Sequence, residues 1–275
     1  MNSSAVTQKR KELPAVVREL NVILTLTARE MILSVNPPAK IAMAFVWPIM
    51  MFGMFGSLLS SNMGINMGFD FNNFMLVGML VNALFMMTIN GVTTLVADRE
   101  NDFTQEILVS PTSRFTIILG KIVGASFTAY IMYFATILVG LFIGAQLSAA
   151  QFWLMLAASP LMCIAAGALG VLIVGFVKST SAAGMISIMI SMIQMFLSGA
   201  MIPINHSNIV MSVVSRLLPM TYCVDFARGL TYAGQVRFEN TALYPPHIDL
   251  IIIAAFTVVF FIIGTLNFVR VEKNK

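Results

Sequence analysis

The chain has 275 residues, 58% of them hydrophobic and only 10% charged, with a net charge of +4. A soluble domain carries about 25% charged residues, so composition excludes a soluble enzyme or binding module and indicates a polytopic all-α membrane protein. The small positive excess reads as cytoplasmic flanks, not as a nucleic-acid surface, and no nucleic acid is expected as a partner.

Residues 1–13 contain Lys9-Arg10-Lys11 with no apolar region directly after them. This predicts a disordered cytoplasmic tail, not a cleaved signal. Residues 14–36 are different. Arg18, Asn21, Thr25 and Arg29 share one helical face, and Val16, Leu20, Ile23, Leu24, Thr27 and Met31 fall mostly on the other. Four charges make this a poor span. The pattern predicts an interfacial amphipathic helix with Arg18 and Arg29 toward lipid phosphates; the competing reading is a soluble helix packed on a partner. Asn36-Pro37-Pro38 then turns the chain.

Residues 37–275 read as a six-helix transmembrane domain, with spans at about 41–59, 74–96, 115–143, 152–177, 182–202 and 250–269. Each is near the roughly 20 residues that cross about 30 Å of hydrocarbon. The first holds Pro48, Gly53 and Gly56, which permit a kink, and the fourth holds Pro160. The third carries Lys121 near one end and two small-xxx-small spacings, Gly120 to Gly124 and Gly140 to Gly144, which allow close helix approach. Both termini, the 98–121 region and Lys178 carry basic residues on one side of the membrane; Arg216, Arg228 and Arg237 fall on the other. The positive-inside rule therefore predicts that both termini are cytoplasmic.

Between the second and third spans lies the densest cluster of charge, residues 97–111. Asp98, Glu100, Asp102 and Glu106 stand against Arg99 alone. Ionised groups are costly in hydrocarbon, so this stretch must lie outside it. Phe103 and Ile107 are four apart and would form a small apolar ridge on a short helix that Pro111 ends and after which Ser113 can cap the next. The functional reading is a docking helix for a partner protein; the plain one is a solvated loop.

Asn82 and Asn90 in the second span and Gln194 in the fifth are polar groups at membrane depth. They read either as interhelical hydrogen-bond glue or as lining of a polar path. Residues 203–249 read as an outer segment of short helices, with Asp225 and Arg228 three apart and able to pair. Cys163 and Cys223 stand in separate regions without metal-ligand neighbours. No Gly-x-x-x-x-Gly-Lys-Ser/Thr phosphate loop, Gly-x-Ser-x-Gly elbow or helical His pair occurs. The notable absence is an acid in the middle of a span, which a proton-driven carrier would need.

Three stretches carry a resemblance to a family. Asp98-Arg99-Glu100 with Glu106-Ile-Leu-Val-Ser-Pro111-Thr-Ser-Arg114 and Gly120-Lys121 comes first. Leu197-Ser-Gly199-Ala-Met-Ile-Pro203 closes the fifth span, and Leu218-Pro219-Met-Thr-Tyr222-Cys-Val-Asp225-Phe-Ala-Arg228-Gly229 follows. In order and spacing the chain resembles the ABC-2 type permeases, the membrane subunits of ATP-driven exporters, in particular the drug-export branch. It departs from them at Asp102, at Leu218 and at Asn205-His206-Ser207.

The resemblance implies a multi-pass protein of a prokaryotic cell membrane. It would work as two permease subunits, a second copy or a similar chain, with two separate ATPase subunits. No cofactor would sit in this chain; ATP and Mg would be bound by the ATPase. Asp98, Arg99, Glu100, Phe103, Glu106, Ile107 and Pro111 would couple to that ATPase, and Gly199, Pro219, Tyr222, Asp225 and Arg228 would build the outer segment. The alternatives are an ion-coupled or passive carrier without an ATPase, and a membrane-embedded enzyme or scaffold.

Overall fold

The computed structural model describes residues 15–35, 39–56, 71–101, 113–204, 209–232 and 242–273. Among them there are helices and turns and no strand. Helix α1 spans Ala15–Val35 and α2 spans Ala39–Met50. Pro48 cannot donate its ladder bond, and just past it the helix widens into one π-helical stretch, Met51–Gly56. Helices α3 (Phe71–Val92) and α4 (Thr94–Glu100) form one apolar rod broken only at Thr93. There the hydroxyl of Thr93 donates to the Asn90 carbonyl at 2.7 Å and that of Thr94 to the Gly91 carbonyl at 2.6 Å. Helix α5 spans Arg114–Phe142.

Helix α6 spans Ala149–Phe176 and starts at a capping box in which Ser148 and Gln151 satisfy each other's backbone N–H. Helix α7 spans Thr180–Leu197, with the Ser179 side chain accepting from the Ala182 N–H. The short helices α8 (Ile209–Arg216) and α9 (Pro219–Thr231) meet at a bend of 92°, because Pro219 opens a new first turn. Helix α10 spans Pro246–Lys273.

Among the described residues, five helices are long and apolar enough to cross a membrane: α3–α4 together, α5, α6, α7 and α10; the bent pair α8–α9 would make six. The chain is an all-α, multi-pass membrane protein. The first expected span appears as a shorter apolar helix, Ala44–Met54.

Helix α3 is the centre of the bundle. Phe74, Met75, Leu80, Leu84, Phe85 and Ile89 are fully buried, in contact with α5, α6, α7 and α9. Lipid tails are as apolar as these side chains, so the drive that buries a soluble core is weak here. Close packing and polar ties must hold the bundle, and they concentrate at its two ends. Both cysteines are free and buried.

Candidate functional site

One end gathers residues 98–101, 113–121 and 177–180. The tripeptide Asp98-Arg99-Glu100 closes α4, and its three side chains leave in three directions. Asp98 accepts from both guanidinium nitrogens of Arg29 on α1, at 3.0 and 3.4 Å, and from Lys121 Nζ on α5 at 2.5 Å. Arg99 Nη2 donates to the Val177 carbonyl, at the C-cap of α6, at 2.5 Å, and its guanidinium lies 5.5 Å from the Phe268 ring centroid on α10. Glu100 accepts from the Thr180 N–H at 3.1 Å and from its hydroxyl, at the N-terminus of α7. Three adjacent residues therefore hold five other helices.

The acid–base cluster is completed by Glu30, whose Oε1 takes a hydrogen bond from Lys121 at 2.5 Å and from Arg29 at 3.3 Å. Two cations face two anions, so the set is neutral. Lys121 is 3% exposed, against 36% for Arg29. The paired carboxylate of Asp98 holds the Arg29 guanidinium above its ordinary value.

The seat for this contact is the Gly120 to Gly124 spacing. A Cβ at Gly124 would lie 2.6 Å from the Glu30 Cβ, and one at Gly120 would lie 3.2 Å from the Ile23 Cα. Helix α1 thus lies lengthwise along the first half of α5 and runs the same way. Glu19 stands beside Ser113 and Thr116, and Glu30 beside Lys121. The hydroxyl of Thr116 and the N–H of Ser113 hold the Glu19 carboxyl below the usual carboxylate range. Ser113 occupies the N-cap position of α5, but its hydroxyl makes no cap bond; the expected cap is replaced by Glu19 binding its N–H.

The opposite end joins α3, α9, α10 and the turn after α7. Gly199 adopts φ +84°, which turns its carbonyl and that of Ala200 toward Arg228. Arg228 Nη2 donates to them at 2.8 and 3.2 Å, and its guanidinium lies 3.5 Å from the Phe74 ring centroid. Asp225 accepts from the N–H groups of Leu243 and Tyr244 at 2.7 Å each. The expected Asp225–Arg228 ion pair is absent among the described residues: each finds backbone partners on a different element. The Tyr222 hydroxyl donates to the Arg216 carbonyl at 2.7 Å, and its ring stacks 6.1 Å from that of Tyr244.

A family model described as ABC-2 type transporter matches residues 21–232 of this chain. The chain belongs to the ABC-2 type transporter family. Comparison with curated proteins returned no match. The ABC-2 permease is a membrane component of a transporter, and the matched region contains Asp98-Arg99-Glu100, Lys121, Gly199, Asp225 and Arg228.

Within this permease the residues singled out in the sequence divide cleanly. Asp98, Arg99 and Glu100 meet in one hub. Phe103, Glu106, Ile107 and Pro111 lie outside the described residues. Arg29 turns into the bundle to reach Asp98, whereas the sequence predicted it to face lipid phosphates; Arg18 is half-buried. Gln194 Oε1 accepts from the Met220 N–H at 3.3 Å, and Asn82 is buried in α3. Asn90 is half-buried, and its carbonyl serves the Thr93 hydroxyl.

Glu30 was missed as a site residue, as was the role of Lys121 at the hub. The available signal was Lys121 itself. A lysine inside an apolar run, between two glycines that admit another helix, requires an acid close by.

Proposed function

We propose that this permease is the membrane half of an exporter. It moves a hydrophobic or amphipathic substrate out of the cytoplasm or inner leaflet, powered by two copies of a separate ATPase subunit that bind ATP and Mg. The observation that carries this reading is the hub at Asp98-Arg99-Glu100. These residues immediately precede the acidic stretch with Phe103, Glu106 and Ile107, so a push on that stretch passes at once to α1, α5, α6, α7 and α10. A partner's closure shifts a membrane equilibrium only through contacts that differ between states, and this hub supplies a rigid lever for them.

Two further observations support the reading. A cleft of about 280 Å³ between α1, α5 and α6, lined by Met31, Ile122, Phe127 and Tyr130 among others, suits an apolar chain drawn from the adjoining leaflet. Helix α7 leaves Met185, Ile188, Met189, Met192 and Phe196 exposed, a face that suits a second permease copy.

The test is a pair of substitutions in the ridge. Phe103→Ala removes a side chain whose burial in a partner groove contributes roughly 1.5–3 kcal/mol, and Glu106→Lys inverts a charge that orients docking. Both variants are expected to insert normally, with transport and co-purified ATPase reduced at least tenfold. Normal transport with undiminished ATPase binding would return the stretch to a solvated loop, where substitutions cost under about 0.5 kcal/mol.

A further inference from the structure

Asp249 stands in the first turn of α10 and is wholly buried. Among the described residues, neither of its carboxyl oxygens receives a hydrogen bond from an N–H or hydroxyl group. The carboxyl of Asp225 on α9 lies within hydrogen-bond reach of it. Asp225 is already committed, one oxygen to the Leu243 N–H and the other to the Tyr244 N–H.

The remaining ionisable groups around the pair do not resolve the conflict. Tyr222, Cys223 and Arg228 lie on α9, Tyr244 just before α10, and Arg216 and His247 are exposed at the ends of α8 and α10. Cys163 is the ionisable group of α6, and α3 and α7 bring no Asp, Glu, Lys, Arg or His. Arg228 gives Nη2 to the Gly199 and Ala200 carbonyls, its Nε reaches no acceptor among the described residues, and among those residues it forms no ion pair with either carboxyl. Two buried carboxylates within hydrogen-bond reach of each other, and without an ion pair to a cation among the described residues, repel each other and cannot both persist. A carboxylic acid O–H resolves this, because a protonated carboxyl is a donor. Asp225 holds two N–H groups and is the acceptor; Asp249 holds none and is the donor.

We propose that Asp249 carries a proton and donates it to Asp225, so that one proton fastens α10 to α9 and to the 242–245 stretch. The joint is a proton-binding site at the end of the bundle opposite the tripeptide hub. It stands on contacts within this chain and does not depend on the substrate or the power source. While the proton stays, the two helices are bonded; as alkali removes it, two negative charges face each other and the joint loosens.

The experiment uses the purified full-length chain in lipid nanodiscs. Infrared spectra at neutral pH are expected to show the C=O stretch of a buried carboxylic acid, shifted in heavy water and lost in Asp249→Asn. The asparagine keeps an N–H donor for Asp225 and cannot ionise. Thermal melting of the wild type is therefore expected to fall on going from neutral to alkaline solution by several degrees more than that of Asp249→Asn. If Asp249→Asn does not fold, Asp249→Glu must move the band. The absence of the band in the wild type, an unmoved band in the variants, or the same alkaline fall in wild type and Asp249→Asn would each overturn the proposal.

Discussion

The ammonium of Lys121, 3% exposed, sits 2.5 Å from both Glu30 and Asp98. Its removal leaves two carboxylates to share Arg29. Truncating one partner of a buried ion set costs about 3–5 kcal/mol; the low end applies, because Arg29 already touches both acids. Lys121→Met should therefore lower stability by about 3 kcal/mol. Lys121→Met combined with Glu30→Gln, which restores neutrality around the Arg29–Asp98 pair, should recover most of it. Denaturation of the two single variants and the double variant measures this coupling; additive losses would show that charge balance is not what the cluster provides. Lys121 was visible in the sequence as an isolated cation. Its partners were not, because Glu30 lies 91 residues away and no local pattern joins them.

At the scale of elements, the seat of α1 on α5 depends on absent side chains. Gly124→Leu would put a branched chain where a Cβ alone meets Glu30 at 2.6 Å, and overpacking of this kind costs about 1–3 kcal/mol. The expected result is a displaced α1, cut faster by protease, while Leu138→Met, at an exposed position in the second half of α5, leaves the cutting rate unchanged; equal rates for both would mean the seat can stretch. Helical character was legible here because long apolar runs without charge have few other solutions in a membrane. What the helices do with their polar faces was not. A 3.6-residue stripe shows that Arg29 shares a face with Asn21 and Thr25, but phosphates and an Asp98 brought in by the fold satisfy that face equally well. Similarly, the spacing of Asp225 and Arg228 permits a pair, yet the turn at Gly199 and the N–H groups of Leu243 and Tyr244 supply closer partners.

At the scale of the whole molecule, under the proposed function, the hub separates two properties that a single defect would otherwise confound: holding an ATPase and passing on its motion. Glu100→Ala removes the tie to Thr180 at the start of α7 and leaves Phe103 and Ile107 of the proposed docking stretch unsubstituted. ATPase co-purification should stay within about twofold of wild type, under about 0.5 kcal/mol, while transport and substrate-stimulated hydrolysis fall several-fold. Loss of ATPase binding in the same proportion would place Glu100 in the docking surface itself. The lengthwise seat of α1 also sets a timetable during synthesis. At about 5–20 residues per second, the 91 residues between Glu30 and Lys121 represent roughly 5–18 s in which α1 exists and its berth does not. For that interval Arg29 and Glu30 must stay hydrated while Leu20, Leu24 and Ile32, still exposed in the finished fold, moor the helix to lipid. The emergence of α5 then draws in a helix that was waiting at the surface, so α1 docks only once the fifth helix has been made.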